Sequence, residues 1–172
     1  MRKLTRYSDA LRDYDAVAQI APDYAPTHLG RGIVLWRLGR NEEARRAFDR
    51  AVILQPDSYT LTQRADFLIG QKELAEAISD FSEILKFDPS HLGARLNRAN
   101  ALAQLGEYDK SLDDYNVALN AHASDSRIYS GRGWVFQRQC LIGRARKEYR
   151  RALELSPTDP RLINVLKNLP QN

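Results

Sequence analysis

Three histidines and one cysteine, His28, His91, His122 and Cys140, are the zinc-ligand and nucleophile candidates of this 172-residue chain. Metal sites need several such ligands at short spacings, and each of these residues stands alone in its stretch of sequence. No glycine-rich phosphate loop and no G-x-S-x-G nucleophile motif is present. Because catalysis needs converging acids, bases or nucleophiles, the sequence predicts a protein that is not an enzyme and that holds no metal or cofactor.

The tripeptide Gly-Arg-Gly occurs twice, at 30–32 and at 131–133, and glycine-rich turns can cradle phosphate groups. Both copies fall inside stretches whose apolar spacing predicts a helix rather than a loop. A glycine inside a helix lets another element approach closely. We therefore interpret these glycines as packing positions and expect no phosphate site there.

The net charge of +4 is unevenly distributed, which raises the question of nucleic acid. Between Arg138 and Glu154, six basic residues stand against two acidic ones. A basic segment can contact phosphates, but single-strand binding also needs aromatic side chains on which bases stack. The aromatic residue of this segment, Tyr149, falls in a column that we expect to be buried. The sequence therefore favours a solvated helix face, and we do not expect nucleic acid as a partner.

Five segments of the chain share a pattern of residue types although few of their residues are identical. Their last residues are Pro22, Pro56, Pro89, Ala123 and Pro157, which lie 34, 33, 34 and 34 residues apart. Within each segment a small residue, an aromatic residue and a second small or branched residue share one face of a helix. The aromatic column consists of Tyr14, Phe48, Phe81, Tyr115 and Tyr149. Such a fixed period predicts a stack of helical repeats.

The stretches between these segments form a second set of columns. A small residue recurs at Gly32, Ala65, Ala99 and Gly133, and an arginine precedes it each time. Small residues inside a helix reduce helix propensity, so their recurrence indicates close packing between paired helices. Carboxylates recur in the second helices at Asp80, Asp114 and Glu148. We therefore interpret the arginines as structural ion-pair partners rather than as a ladder for a ligand.

This pattern resembles the tetratricopeptide repeat (TPR) family, whose repeating unit is a helix–turn–helix. The first full copy carries the family positions as Gly32, Leu35, Ala44, Phe48 and Pro56. The resemblance covers about residues 3–159 and implies an all-α fold, a right-handed α-α superhelix (TPR solenoid) of about nine to ten antiparallel helices. We expect a single TPR domain over residues 1–172. Its parts are a half repeat at 4–24, full repeats at 25–57, 58–91, 92–125 and 126–159, and a capping helix at 160–172.

Both ends of the array differ from the inner repeats. The first segment corresponds to the second helix of a repeat, predicted from about Tyr7 to Ile20, and it has no first helix before it. That leaves an apolar face near Leu4 and Tyr7 uncovered, so we expect a longer array, a partner or a twin chain at this end. At the other end an amphipathic capping helix is predicted from Leu162, Val165, Leu166 and Leu169.

In the TPR family the first helices of the repeats line a concave groove that holds an extended peptide or a partner helix, and the resemblance implies the same here. The groove side of each first helix should be the face opposite its packing face. The candidate contacts on these faces are Leu29, Ile33, Trp36, Thr62, Gln63, Asp66, Asn97, Asn100, Arg127, Trp134 and Arg138. Amide side chains can pair with a peptide backbone, and Trp and Arg are favoured at binding hot spots.

One subgroup of the family, the TPR domains that hold chaperone tails, carries a carboxylate clamp of lysine, asparagine and arginine side chains. The corresponding positions here are Thr62, Asp66, Asn97, Arg127 and Gly131, of which only Asn97 and Arg127 match. Asp66 would repel a terminal carboxylate. We therefore do not expect a receptor for chaperone tails.

The sequence thus predicts a non-catalytic protein-protein interaction scaffold that binds a peptide or helix of a partner protein in the concave groove. The alternatives are a self-assembly module that forms a homo-oligomer through the open N-terminal helix, or a regulatory TPR arm of a larger protein. No stretch has the roughly 18 apolar residues of a membrane span, and the residues after Met1 are not those of a signal peptide. Together with the single cysteine, these features favour the cytoplasm.

Overall fold

The structure, a computed structural model, describes the backbone of residues 2–170 and the side chains of residues 6–170. Its elements in this part of the chain are α1 (Arg2–Ile20), α2 (Ala25–Arg37), α3 (Asn41–Leu54), α4 (Ser58–Gly70), α5 (Leu74–Phe87), α6 (Leu92–Leu105), α7 (Tyr108–Ala121), α8 (Ser126–Arg138), α9 (Ile142–Leu155) and α10 (Pro160–Asn168). Each full repeat of the sequence analysis holds one pair of helices. None of the described helices combines the length and the apolar character that a bilayer crossing requires.

The first helix is longer than the sequence analysis predicted, because it begins at Arg2 rather than near Tyr7. The inner repeats turn at positions such as Gly39, and the equivalent position near the N-terminus holds Thr5. Thr5 is helical, so the turn that separates the paired helices of the inner repeats is absent at this position. The apolar face expected at Leu4 lies outside the described side chains.

The turn between the two helices of each full repeat contains one residue in the left-handed backbone conformation. Glycine supplies it at Gly39, with φ of 76°, and at Gly106, with φ of 92°. Lys72 and Cys140 occupy the same position in the other two repeats, with φ of 65° and 61°. A residue with a Cβ atom is strained in this region. The packing of the paired helices on either side therefore keeps Lys72 and Cys140 in a backbone conformation that they would not otherwise favour.

The helices fall into two compact units, Met1–Phe87 and Asp88–Asn172. In the first unit, α2 packs against α3 and α4 packs against α5. The rings of Phe48 and Phe67 lie in its core, with centroids 5.2 Å apart, and both side chains are buried. Gly32 permits this packing, because a Cβ atom at that position would lie 3.0 Å from the Phe48 ring.

In the second unit, two buried tyrosines occupy the aromatic column. A Cβ atom at Gly131 would collide with the Tyr115 ring, and one at Gly133 would lie 2.9 Å from Tyr149. The Gly-Arg-Gly segments are therefore packing elements, as the sequence analysis predicted. The capping helix α10 completes this core with Leu162, which is 4% exposed.

Replacement of Cys140 by glycine should stabilise the protein slightly. The strain of a left-handed residue costs about 1–2 kcal/mol, and glycine loses roughly 0.5–1 kcal/mol more than alanine in chain entropy. The expected net gain in the free energy of unfolding is about 0.5 kcal/mol. Equilibrium denaturation in urea measures it.

The matched control in the same unit is Gly106→Ala, because a Cβ atom there would meet open space. It should lower the free energy of unfolding by about 0.5 kcal/mol, because the backbone strain is only partly offset by the lower entropy of the unfolded chain. A Cys140→Gly variant less stable than the wild type would contradict the prediction and assign a packing role to the exposed thiol.

Candidate functional site

The second unit contains a cleft of about 460 Å³ formed mainly by α6, α8 and α10. α6 contributes Asn97 and Asn100, α8 contributes Arg127 and Trp134, and α10 contributes Leu162. Residues three or four positions apart share one face of a helix, which is why each helix presents several side chains here. Four of these five residues are among the groove contacts predicted from the sequence.

Two tyrosine side chains form part of the cleft wall. The Tyr115 hydroxyl donates a hydrogen bond to Asn100 Oδ1 at 2.6 Å, and the Tyr149 hydroxyl donates to Gln137 Oε1 at 2.9 Å. Burial raises the pKa of the Tyr115 hydroxyl, and it raises the pKa of Tyr149 to about 12. Both hydroxyls therefore remain protonated donors at neutral pH. Because Asn100 Oδ1 is engaged by Tyr115, its Nδ2 group is left to donate to another acceptor.

Amide groups and apolar side chains meet in this cleft. Asn97 is half-buried one helical turn before Asn100, and no hydrogen bond found in the described part of the chain uses its side-chain amide. Trp134 is half-buried and packs against the cores on both sides of α8. Leu162 and the half-buried Val165 add an apolar wall from α10. The cleft can therefore both exchange hydrogen bonds and bury an apolar group.

The two arginines of the cleft are neutralised by aspartates two residues earlier. Arg127 binds both carboxylate oxygens of Asp125 at 3.0 and 2.6 Å, and Arg161 binds those of Asp159 at 3.2 and 3.0 Å. Each aspartate also caps its helix by accepting a hydrogen bond from the backbone N–H of that arginine. Hydrogen bonds from the arginines lower the pKa of both carboxyl groups. The two pairs therefore add no net charge at neutral pH.

In the first unit, the predicted contacts take more part in packing. Leu29 is only 8% exposed, which limits a partner's access to it. Trp36 is half-buried, and its ring meets Phe67 edge to face with centroids 5.7 Å apart. Thr62 Oγ1 donates a hydrogen bond to the carbonyl oxygen of Ser58 in its own helix, at 2.6 Å.

The remaining predicted contacts lie at the surface or partly buried. Ile33 and Gln63 are half-buried, and Asp66 and Arg138 are exposed. Although Asp66 as a whole is exposed, partial desolvation of its carboxyl group by the surrounding protein raises the pKa of that group. Arg138 is not among the residues that line the cleft of the second unit. That these residues contact a partner stays a prediction.

Part of the cleft wall was missed from the sequence. Tyr115 and Tyr149 were assigned only to the buried column, yet both reach the cleft. Arg161 was not considered, although the Asp-x-Arg of 125–127 recurs 34 residues later at 159–161. That repetition was a usable signal, because α10 occupies the position of a first helix in the next copy.

The arginine column is structural, as the sequence analysis predicted. In the first unit, Arg64 binds Asp80 through two hydrogen bonds of 2.9 and 2.6 Å. In the second unit, Arg98 binds Asp114 in the same way at 2.8 and 2.7 Å. Asp80 and Asp114 are buried, so each bidentate pair compensates a carboxylate that water cannot solvate.

The last pair of this column is weaker. Arg132 Nη2 lies 3.4 Å from Glu148 Oε1, and the buried Arg132 Nε and Glu148 Oε2 atoms have no hydrogen-bond partner. Burial raises the pKa of the Glu148 carboxyl despite the neighbouring Arg132. The longer glutamate does not reproduce the bidentate geometry of the aspartates at the equivalent positions.

Two of the three histidines singled out by the sequence, His28 and His91, have structural contacts. His91 Nδ1 accepts a hydrogen bond from the backbone N–H of Ala94 at 3.0 Å and so caps α6. His28 Nε2 lies 2.7 Å from the carbonyl oxygen of Pro22. Over residues 2–170, no group of three or more His, Cys, Asp or Glu side chains is arranged to hold a metal ion. The absence of a metal or cofactor stays a prediction.

A stack of helix pairs with aromatic residues packed on small ones defines a helical repeat protein. Family models for the tetratricopeptide repeat match residues 2–59 and 68–134, together more than half of the chain. The chain therefore belongs to the tetratricopeptide repeat family, and the predicted all-α TPR solenoid is confirmed.

Three similar proteins illustrate the relationship. The DnaJ protein P58IPK homolog B of Oryza sativa subsp. japonica is 24% identical over 98% of this chain and 40% of its own length. The structure of YrrB, a TPR protein with an unusual peptide-binding site, matches 96% of this chain and 86% of YrrB with a TM-score of 0.79 and 16% identity. The first TPR of Spaghetti (RPAP3) bound to the HSP90 peptide SRMEEVD matches 64% of this chain and 88% of that chain, with a TM-score of 0.59 and 27% identity. The chain spans about 40% of the length of the curated relative.

Substitution of Asp114 by asparagine should destabilise the protein by about 2 kcal/mol, because it leaves Arg98 and Arg95 without their buried counter-charge. Urea denaturation measures the loss. The matched control is Glu154→Gln, which breaks an exposed pair with Arg151 and should change stability by less than about 0.5 kcal/mol. Equal effects of the two substitutions would contradict a structural role for the arginine column.

Proposed function

We propose that this chain is a non-catalytic protein-interaction module whose second unit binds an extended segment of a partner protein in the cleft of α6, α8 and α10. One observation carries the proposal: side-chain amides and an apolar wall meet in one cleft whose arginines are already paired. A cleft of about 460 Å³ has room for a few residues of a bound chain.

The amides suit the recognition of a peptide backbone. An asparagine side chain offers both a carbonyl acceptor and two N–H donors, as a backbone does. Asn97 retains all of these groups, and Asn100 retains its donors while Tyr115 fixes its orientation. Contacts of this kind hold an extended chain whatever its side chains are.

The apolar wall supplies the selectivity for a side chain. Trp134 and Val165 are half-buried and face the same cleft as the two amides. We therefore assign them to an apolar anchor residue of the partner, since buried aromatic and aliphatic contacts dominate binding energies.

The bound segment lies within a partner chain rather than at its C-terminus. A terminal carboxylate would have to compete with Asp125 and Asp159 for Arg127 and Arg161. This distinguishes the proposal from recognition of an acidic tail. The RPAP3 structure contains a bound peptide and the YrrB structure has a peptide-binding site, which supports peptide binding as the general mode for the fold.

Selection of random linear peptides on the intact chain tests this proposal. We expect peptides that share an apolar residue and bind equally with a free or an amidated C-terminus. Asn97→Ala should lower the affinity for a selected peptide by roughly fivefold, because it removes the hydrogen bonds of this side chain to the peptide backbone. Ser130→Arg, which fills the cleft, should abolish binding. Fluorescence anisotropy with the labelled peptide measures each affinity.

The matched control is Asn116→Ala, because Asn116 is an exposed asparagine of the same unit that does not line this cleft. It should leave the affinity unchanged. Loss of binding on amidation would replace the proposal with carboxylate recognition, and an equal loss with Asn116→Ala would place the contact outside this cleft. Circular dichroism checks that every variant remains folded.

Self-assembly is a second candidate because of the face of α1. Val17 is 40% exposed, whereas Ala51 and Ala152, at the same repeat position, are fully buried. If this face pairs with a twin chain, light scattering should show a mass that rises with concentration, and Val17→Lys should abolish the rise. A constant monomer mass over a hundredfold concentration range would rule out this candidate. A regulatory role within a larger protein and a cytoplasmic location stay predictions.

A further inference from the structure

A second cleft of the Asp88–Asn172 unit has different chemistry. It measures about 350 Å³ and is lined by Tyr129 of α8 and by residues of α9. The α9 residues include four cations, Arg146, Lys147, Arg150 and Arg151, and two carboxylates. We call this surface the basic cleft.

The basic cleft lies on the segment that holds the charge excess of the protein. The whole chain has a net charge of +4, and residues 138–154 alone contain six basic and two acidic residues. The rest of the chain is therefore neutral as a sum. Since the repeats share one packing pattern, the fold itself does not require this concentration of charge.

The two carboxylates of the basic cleft face arginine side chains, Glu154 in a hydrogen-bonded pair and Glu148 in a looser one. Glu154 Oε2 accepts a hydrogen bond from Arg151 at 2.7 Å, and the Arg151 guanidinium lies 5.8 Å from the centre of the Tyr129 ring. Glu148 faces Arg132 inside the unit. Arg146 donates to the carbonyl oxygen of Pro170 at 2.6 Å, a neutral acceptor that leaves its charge uncompensated.

Lys147 and Arg150 form no close ion pair, although Lys147 attracts the Glu148 carboxylate at longer range. Both are exposed, and none of the ion pairs between described residues involves either of them. The repeat pattern explains why. The position of Arg150 holds Asp49 in the first full repeat, where the carboxylate pairs with Arg64 of the next first helix at 3.0 Å. In α10 the corresponding arginine position holds Leu166, so a carboxylate at the position of Arg150 would have no such partner. Ser82 and Asn116 occupy this position in the two repeats between.

We propose that the basic cleft binds an acidic, Asp- or Glu-rich segment of a protein partner. This site is separate from the cleft of α6, α8 and α10 to which the proposed function is assigned. Lys147 and Arg150 would pair with carboxylates, and Arg146 would add a third positive charge fixed by its contact with the α10 end. Nucleic acid fits less well. The Tyr149 ring is 3% exposed and the Tyr129 ring carries Arg151, so neither offers a free stacking face.

Binding of a fluorescein-labelled hexaglutamate peptide to the intact chain tests the proposal. We expect saturable binding by fluorescence anisotropy that weakens as salt increases. The double variant Lys147→Gln/Arg150→Gln should lose roughly fivefold to tenfold in affinity, because two exposed ion pairs are removed. Both residues are exposed, so the variant should keep its helical circular dichroism.

The matched control is Lys86→Gln/Lys110→Gln, which removes the same net charge from exposed sites on α5 and α7. It should bind hexaglutamate as the wild type does. Equal weakening by the two double variants would overturn the proposal in favour of non-specific attraction. Binding of a labelled oligothymidylate at concentrations where hexaglutamate does not bind would also overturn it, in favour of nucleic acid. Neither result would affect peptide selection at the cleft of α6, α8 and α10. None of the four substituted residues, Lys86, Lys110, Lys147 and Arg150, lines that cleft.

Discussion

The fold depends on the contact between one aromatic ring and one small residue in each repeat. An ideal Cβ atom would lie 3.0 Å from the Phe48 ring at Gly32 and 2.9 Å from the Tyr149 ring at Gly133, so both glycines are in tight contact with a ring. Because the ring fills the space that a larger side chain would occupy, the two helices of a pair pack closely and in one register. The side chains on the opposite face of the first helix are then free to vary.

The ion pairs distinguish arginines that stabilise the fold from cations that remain free to bind a partner. Buried carboxylates such as Asp80 and Asp114 hold arginines in bidentate contacts, and helix-capping aspartates hold Arg127 and Arg161. Most arginines near the packing surfaces therefore form ion pairs within the protein. A cation without a close carboxylate partner is therefore available to bind an external anion, and several such cations lie on α9.

The two clefts of the second unit consequently differ in kind. One combines amides, tyrosine hydroxyls and an apolar wall with paired charges, and the other presents four cations beside two carboxylates. Hydrogen bonding and apolar burial depend little on salt, whereas attraction between exposed charges is screened. Salt dependence therefore provides a physical means of telling the two modes of binding apart.

The sequence by itself determined the helical repeat, the turn positions and the partners of the arginine column, because packing depends on residue type at fixed spacing. It also placed Asn97, Asn100 and Trp134 on faces that share one cleft. Only the tertiary structure decided that Arg127 is neutralised by Asp125, that Leu29 is buried, and that Tyr115 orients Asn100. Helical periodicity gives the face on which a side chain lies, but its exposure and hydrogen bonds depend on atoms from other helices, whose distances no local pattern specifies.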